Sequence, residues 1–135
     1  MSELILEANT ENLDKVLDFV NPELENAGCD IKTQMQIDIA VEELFVNIAH
    51  YAYGDGTGTV QIQIEITAAP LSAVITFSDS GVPYDPLKRT DPDVTLSAEE
   101  RTVGGLGIYM VKKSMDSIDY EYKDGKNILR IKKEL

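Results

Sequence analysis

Residues Ile37 to Tyr53, IDIAVEELFVNIAHYAY, form the stretch around which the chain is organised. At about 100° per residue, Ile37, Val41, Leu44, Phe45, Ile48 and Ala52 fall on one broad apolar face of a helix. Gln36, Glu43, Asn47 and His50 gather in a narrow sector opposite. That sector does not read as an ordinary solvated face, because Ile39 and Val46 flank one side of it and Ala40 and Tyr51 the other. A carboxylate held between apolar walls costs free energy until a cation or a ligand pairs with it. Glu43 and Asn47, one turn apart on one side, are therefore the leading functional pair. The plain alternative is a Glu and an Asn that share a helix by chance, and the flanking segments have to decide between the two.

Upstream, Leu4 to Ala8 reads as a short edge strand. Thr10 is placed to cap a helix whose stripe is Leu13, Val16, Leu17 and Val20, with Pro22 in position to interrupt it. Gly28 and Asp30 separate this helix from the central one, which Asp30 or Thr33 would cap. Downstream, GDGTG from Gly54 to Gly58 is a loop by composition. Val60, Ile62, Ile64 and Ile66 then alternate with Gln61, Gln63 and Glu65, the period of a strand with one buried face. A turn at Ala68 to Leu71 and the apolar run LSAVITFS to Ser78 complete an antiparallel hairpin.

Between Tyr84 and Val103 the chain carries Pro86, Pro92 and several acidic residues with little period, a long segment of the kind that serves as a lid or binding loop. Within it, Ser97-Ala-Glu-Glu100 matches a capping box. Gly104-Gly-Leu-Gly107 follows, then a helical spacing over Ile108 to Met115, a strand over Ile118 to Tyr122, a turn at Lys123 to Lys126, and a last strand over Ile128 to Ile131. Neither an internal repeat nor a low-complexity segment is present.

With 135 residues, 43% hydrophobic and 27% charged, the chain is expected to be one soluble domain over 1–135. Its net charge of −12 argues against nucleic acid as a partner, since a phosphate backbone repels such a surface. A phosphate ligand is still admissible if it arrives with a divalent cation or meets backbone N–H groups. Cys29 is the single cysteine and His50 the single histidine, so an intrachain disulfide and a clustered zinc site are excluded. The N-terminus lacks a signal-peptide pattern, and no apolar run approaches about 18 residues, so neither a membrane span nor secretion is expected and the location is expected to be cytoplasmic.

Two loop signals join the helical pair. Asp79 ends the second hairpin strand and is followed by Gly81, an acceptor-only side chain beside a residue that lets backbone approach a flat ligand closely. Such a carboxylate suits an exocyclic amine, as on adenine, although DSG is also a common turn. Gly104, Gly105 and Gly107 precede a helix, where exposed N–H groups and the helix dipole hold a phosphate without any lysine. The competing reading is a tight entry into a packed helix. A Rossmann motif is disfavoured because no strand leads into these glycines, and no Gly-Lys-Ser/Thr of a Walker loop follows.

Taken in order, VEELFVNIAHYAY, FSDSGVPYDP and GGLGIYMVKKSMDSIDY resemble the GHKL superfamily of ATPases, and within it the small anti-sigma factor serine kinases. The resemblance runs from Leu4 to Leu135. It implies an α+β fold, a two-layer sandwich of a mixed, mainly antiparallel sheet with about three helices on one face. It implies ATP and Mg²⁺ as cofactors, with Glu43 as general base and Asn47 on the metal. Asp79, Gly81, Val82 and Pro83 would surround the adenine, and Gly104, Gly105, Leu106 and Gly107 would lie against the phosphates. The kinases often carry an arginine where this chain has Val103; Arg101 stands two residues earlier, either as its substitute or as a lid surface residue. His50 reads as a pocket-edge or surface residue and not as a phosphoacceptor. The implied partners are a small antagonist protein as phosphoacceptor and a sigma-like regulator. A homodimer is also implied, although no exposed apolar stripe stands out to decide it. A nucleotide-responsive interaction module without phosphotransfer is the alternative.

Overall fold

The computed structural model describes residues 2–54, 56–88 and 105–135. The chain runs β1 (Ser2–Glu7), a 3-10 turn (Thr10–Asn12), α1 (Leu13–Asn26), α2 (Ile31–Tyr51), β2 (Thr59–Thr67), β3 (Ser72–Asp79), a second 3-10 turn (Pro86–Lys88), α3 (Gly105–Ser114), β4 (Ser117–Lys123) and β5 (Lys126–Glu134). The strands form one sheet in the order β1-β2-β3-β5-β4, and each described pairing is antiparallel. This is the α+β architecture that the resemblance implies, with the element order read from the hydrophobic periods.

Parity sets the layers. On β3, Ala73, Ile75, Phe77 and Asp79 share one side, and their partners Ile66, Ile64, Ile62 and Val60 on β2 share it too. On β5 the same side carries Asn127, Leu129 and Ile131, paired with Asp79, Phe77 and Ile75. The helices cover this side with Val16, Val20 and Leu24 of α1 and Ile37, Val41, Leu44 and Phe45 of α2, all of them buried. Asp79 and Asn127 therefore sit opposite each other at the edge of a core whose other inward positions on these strands are apolar, apart from Lys133 at the far end of β5.

Several local expectations are revised. Asn9 caps the first turn, accepting from the Glu11 N–H at 2.9 Å, so the capping residue is one position earlier than Thr10. Pro22 lies inside α1 without interrupting it, because Val20 and Leu24, on either side, are fully buried and hold the helix in register against the missing N–H bond. Asp30 caps α2 by accepting from the Thr33 N–H at 2.8 Å. The helix ends at Tyr51, two residues before the expected limit.

The walls assigned to the polar sector of α2 also change. Ile39 is largely solvent-accessible and Tyr51 partly so, whereas Asn47 and Ala40 are buried. Ile31, Met35 and Ile39 instead make an exposed stripe at i, i+4 and i+8, 72%, 57% and 56% accessible, where the sequence pattern pointed to none.

Candidate functional site

The site is built where β3 stops. Asp79 is only 6% exposed, and one oxygen, Oδ1, accepts from the Gly81 N–H at 2.9 Å and from Asn127 Nδ2 at 2.9 Å. Its Oδ2 has no hydrogen-bond partner among the described residues. Asn127 donates further to the Val82 carbonyl at 2.8 Å, and its Oδ1 accepts from the Tyr84 N–H at 3.2 Å and from the Tyr120 hydroxyl. Burial is the main cause that pushes the Tyr120 hydroxyl above its ordinary pKa.

The turn after Asp79 is pinned to the end of α2. Val82 N–H donates to the Ala52 carbonyl at 2.8 Å, and a Cβ on Gly81 would lie 2.0 Å from that same oxygen. The close approach that requires glycine here is thus made to protein backbone.

Asp79 and Asn47 open into one pocket. Leu44, Asn47, Ile48 and Ala52 of α2 line it, with Asp79, Tyr120, Asn127 and Leu129 of the sheet and Tyr84 and Pro86 of the following segment. About 390 Å³ of space, solvent at its mouth included, lies among these residues, and their character is that of a small-molecule site, mostly apolar with a few placed polar groups. Asn47 is buried and its Nδ2 donates to the Glu43 carbonyl at 2.9 Å, which leaves its Oδ1 without a hydrogen-bond partner among the described residues.

Glu43 lies one turn back along α2. Its carboxylate stands against the first turn of α3, since a Cβ on Gly107 would come within 1.9 Å of Glu43 Oε2. No described residue forms a hydrogen bond or ion pair with that carboxylate. Burial, and then the charge of neighbouring Glu42, raise its pKa above the ordinary glutamate value.

The structure brings Asn47 and Asp79 into one pocket, with Glu43 and Gly107 in contact one helical turn away. Gly105 and Leu106 open α3 beside Gly107. Val82 and Pro83 line a shallower groove with Tyr51, Tyr53 and Tyr122 on the other side of the Asp79 turn. Arg101, Val103, Gly104 and the Ser97–Glu100 capping box lie outside the described residues, as does most of the expected lid. His50 is exposed and meets Tyr51 edge-on at 6.1 Å, in keeping with its reading as an edge residue. Asn127, Tyr84 and Tyr120 are site residues that sequence reasoning missed. The available signal was Asn127 itself, a polar side chain at an inward parity position followed by Leu129 and Ile131.

Comparison with known proteins bears on the family and the fold. The sequence profile of the histidine kinase-like ATPase domain matches residues 6–133. This chain belongs to that family. A serine-protein kinase, RsbW, of Bacillus thuringiensis strain Al Hakam is 31% identical over 98 residues, covering 70% of this chain and 60% of the relative. The chain thus spans about 60% of the length of that protein. A serine/threonine-protein kinase, BtrW, of Bordetella bronchiseptica is 24% identical over 101 residues, covering 74% of this chain and 70% of the relative. RsbW of Listeria monocytogenes is 27% identical over 111 residues, covering 78% and 69%. Among solved structures, the histidine kinase domain of the Erythrobacter litoralis EL346 blue-light activated histidine kinase superposes with a TM-score of 0.59 at 16% identity, covering 93% of this chain and 60% of that one. That likeness establishes the histidine kinase-like ATPase fold. No described helix is long and apolar enough to cross a membrane, and no described group of three or more His, Cys, Asp or Glu is placed to hold a metal ion.

Proposed function

We propose that this domain binds Mg-ATP and is a serine protein kinase of the anti-sigma factor type, acting in the cytoplasm on a small antagonist protein and also binding a sigma-like regulator. The observation that carries the nucleotide reading is Asp79. A buried carboxylate with one oxygen held by two donors and the other without a partner among the described residues, in a mostly apolar pocket, is an acceptor waiting for a ligand N–H, and the exocyclic amine of adenine supplies one. Family membership and relatives named as serine-protein kinases support the rest.

The residues present fit the group. Asn47 offers an amide oxygen without a partner among the described residues, the hard ligand type Mg²⁺ takes, and a single protein ligand is usual for a cation that keeps its waters and the phosphate oxygens. The first-turn N–H groups of α3, at Gly105 and Gly107, have no intrahelical acceptors and suit phosphate oxygens in a chain of net charge −12. Bound Mg-ATP supplies the phosphoryl group. Glu43 accepts the serine hydroxyl proton: burial raises its basicity toward the working pH, and its contact with Gly107 sets it beside the phosphate-binding turn. Val103 leaves charge compensation to the metal, to backbone donors and to Arg101.

The test is transfer of label from γ-labelled ATP with Mg²⁺ to a candidate antagonist. Wild type places label on serine, and Glu43→Gln lowers transfer by about 10²–10⁴-fold with ATP affinity retained. ATP binding with wild type and variant equally inert would mean a nucleotide-responsive interaction module instead.

A further inference from the structure

We infer that the exposed stripe of Ile31, Met35 and Ile39 on α2 is a docking surface for a cationic amphipathic helix presented by a partner protein. The placement and charge of the stripe carry this without the nucleotide reading above. The three side chains are 72%, 57% and 56% accessible and recur every four residues, so the N-terminal half of α2 turns apolar groups to solvent along about 12 Å of its length. Their exposure follows from where the neighbours of α2 lie. Ile37, Val41 and Leu44 face the core; Gln34 on one flank donates to Glu25 of α1 at 3.3 Å, and Glu43 on the other stands against Gly107 of α3. The stripe falls in the sector left between the two flanks.

Its border is acidic. Asp38 lies three positions after Met35 and four before Glu42, and Glu42 three after Ile39, so both carboxylates share the side of the helix that carries the stripe. Glu25 of α1 is a third: burial chiefly, and then the charge of Glu25, push the Asp38 carboxyl above its ordinary pKa. No described residue forms an ion pair with any of the three, and Lys32 is the single lysine or arginine of α2. From Leu13 to Tyr51 eight acidic side chains stand against two basic ones. This charge selects the occupant. A second copy of the chain would bring the same stripe and the same carboxylates across a two-fold axis and set like charges together. Three apolar side chains are also few beside the roughly 20–30 residues a side of a standard interface. They suit helix-to-helix recognition, in which an amphipathic helix lays anchors one turn apart along an apolar strip. Lysines or arginines flanking those anchors would meet Glu25, Asp38 and Glu42.

The experiment titrates the whole chain into a fluorescein-labelled synthetic peptide of leucine, alanine and lysine, about five turns long and patterned as an amphipathic helix, and follows anisotropy. Saturable binding is expected, at least about tenfold tighter than to the same peptide with glutamate in place of lysine. Met35→Ser and Ile39→Ser should each weaken it at least about fivefold, through loss of one apolar anchor. Glu42→Gln should weaken it by about two- to fourfold and make it less sensitive to added salt. All three side chains are exposed, so the variants should melt with wild type. Stripe variants that bind the peptide as wild type does overturn the inference, and so does a wild type that ignores the cationic peptide or binds both peptides equally. A wild-type dimer in sedimentation that Met35→Ser turns into monomer would give the stripe to a second copy and overturn it as well.

Discussion

Replacing Asp79 by Asn isolates a single oxygen. The asparagine can keep Oδ1 where it accepts from the Gly81 N–H and Asn127 Nδ2, both at 2.9 Å, while Oδ2, without a partner among the described residues, becomes an NH₂. Two internal bonds lose their charge-assisted strength, but a charge that is 94% removed from solvent is also removed, and these changes oppose each other. The net effect on stability should stay within about 1 kcal/mol, or about 4 °C in Tm for a chain of this size. The effect on nucleotide binding has no such offset. A hydrogen bond from a neutral donor to a carboxylate contributes about 1.5–3 kcal/mol, and a donor facing the amine forfeits all of it. ATP affinity should therefore fall by roughly 10- to 150-fold. Calorimetric titration at fixed Mg²⁺ and salt, paired with thermal melts of the same samples, separates the two quantities. An unchanged melt with an ATP dissociation constant within about twofold of wild type would refute the assignment of the base site. A collapsed melt would show that Asp79 serves the turn alone.

Other substitutions probe neighbouring features. Burial raises the Glu43 pKa, so the folded state binds that proton more readily than the unfolded chain; this contribution is fully present below the ordinary glutamate pKa of about 4.3 and is lost as pH rises through the folded value. At neutral pH the ionised Glu43 thus costs stability, and Glu43→Gln should melt higher than wild type at pH 7, with the advantage gone when both are melted near pH 4. Gly81→Ala drives a Cβ to 2.0 Å from the Ala52 carbonyl and displaces the Val82 N–H from that acceptor. Overpacking and the lost bond together cost about 2–4 kcal/mol, a fall of roughly 6–15 °C in Tm by differential scanning calorimetry. Gly107→Ala meets only the end of a flexible side chain, Glu43 Oε2 at 1.9 Å. Its melt should shift by less than about 1 kcal/mol of stability while phosphotransfer falls at least about tenfold, as the displaced carboxylate loses its alignment.

How much of this was legible in the sequence follows from the distance over which each relation acts. The four-residue spacing of Glu43 and Asn47 and the alternation that turns Asp79 inward are local, and both are readable from the helix and strand periods. The link between Asp79 and Asn127 spans 48 residues and depends on which strands become neighbours. Nothing in either segment alone announces that β5 inserts between β3 and β4. A reason for Gly81 is likewise not local, because the atom that excludes its side chain belongs to Ala52, 29 positions earlier by the numbering. The exposed stripe of Ile31, Met35 and Ile39 could not be told from a core face by period alone, because which part of α2 the sheet and α1 cover is settled only by packing.

Three of the buried polar side chains gather at one end of the core: Asn47 on α2, Asp79 at the inward end of β3 and Asn127 at the inward start of β5. A chain shaped for stability alone would gain by filling them with apolar groups, since a buried polar atom costs free energy unless it is hydrogen-bonded. Asn127 meets that cost within the protein, all of its bonding capacity being used. Asp79 and Asn47 do not, and each leaves one oxygen without a partner among the described residues. Both of those oxygens belong to residues lining the same pocket. Saturated support behind and unsatisfied acceptors at the pocket is the distribution expected of a site held ready for a ligand that brings an N–H and a cation. A merely structural network would close its bonds on itself. Filling the pocket should therefore stabilise the fold: saturating Mg-ATP at about 100 times its dissociation constant should add about 2.7 kcal/mol to the unfolding free energy of wild type, a gain that the weakened binding of Asp79→Asn reduces at the same nucleotide concentration.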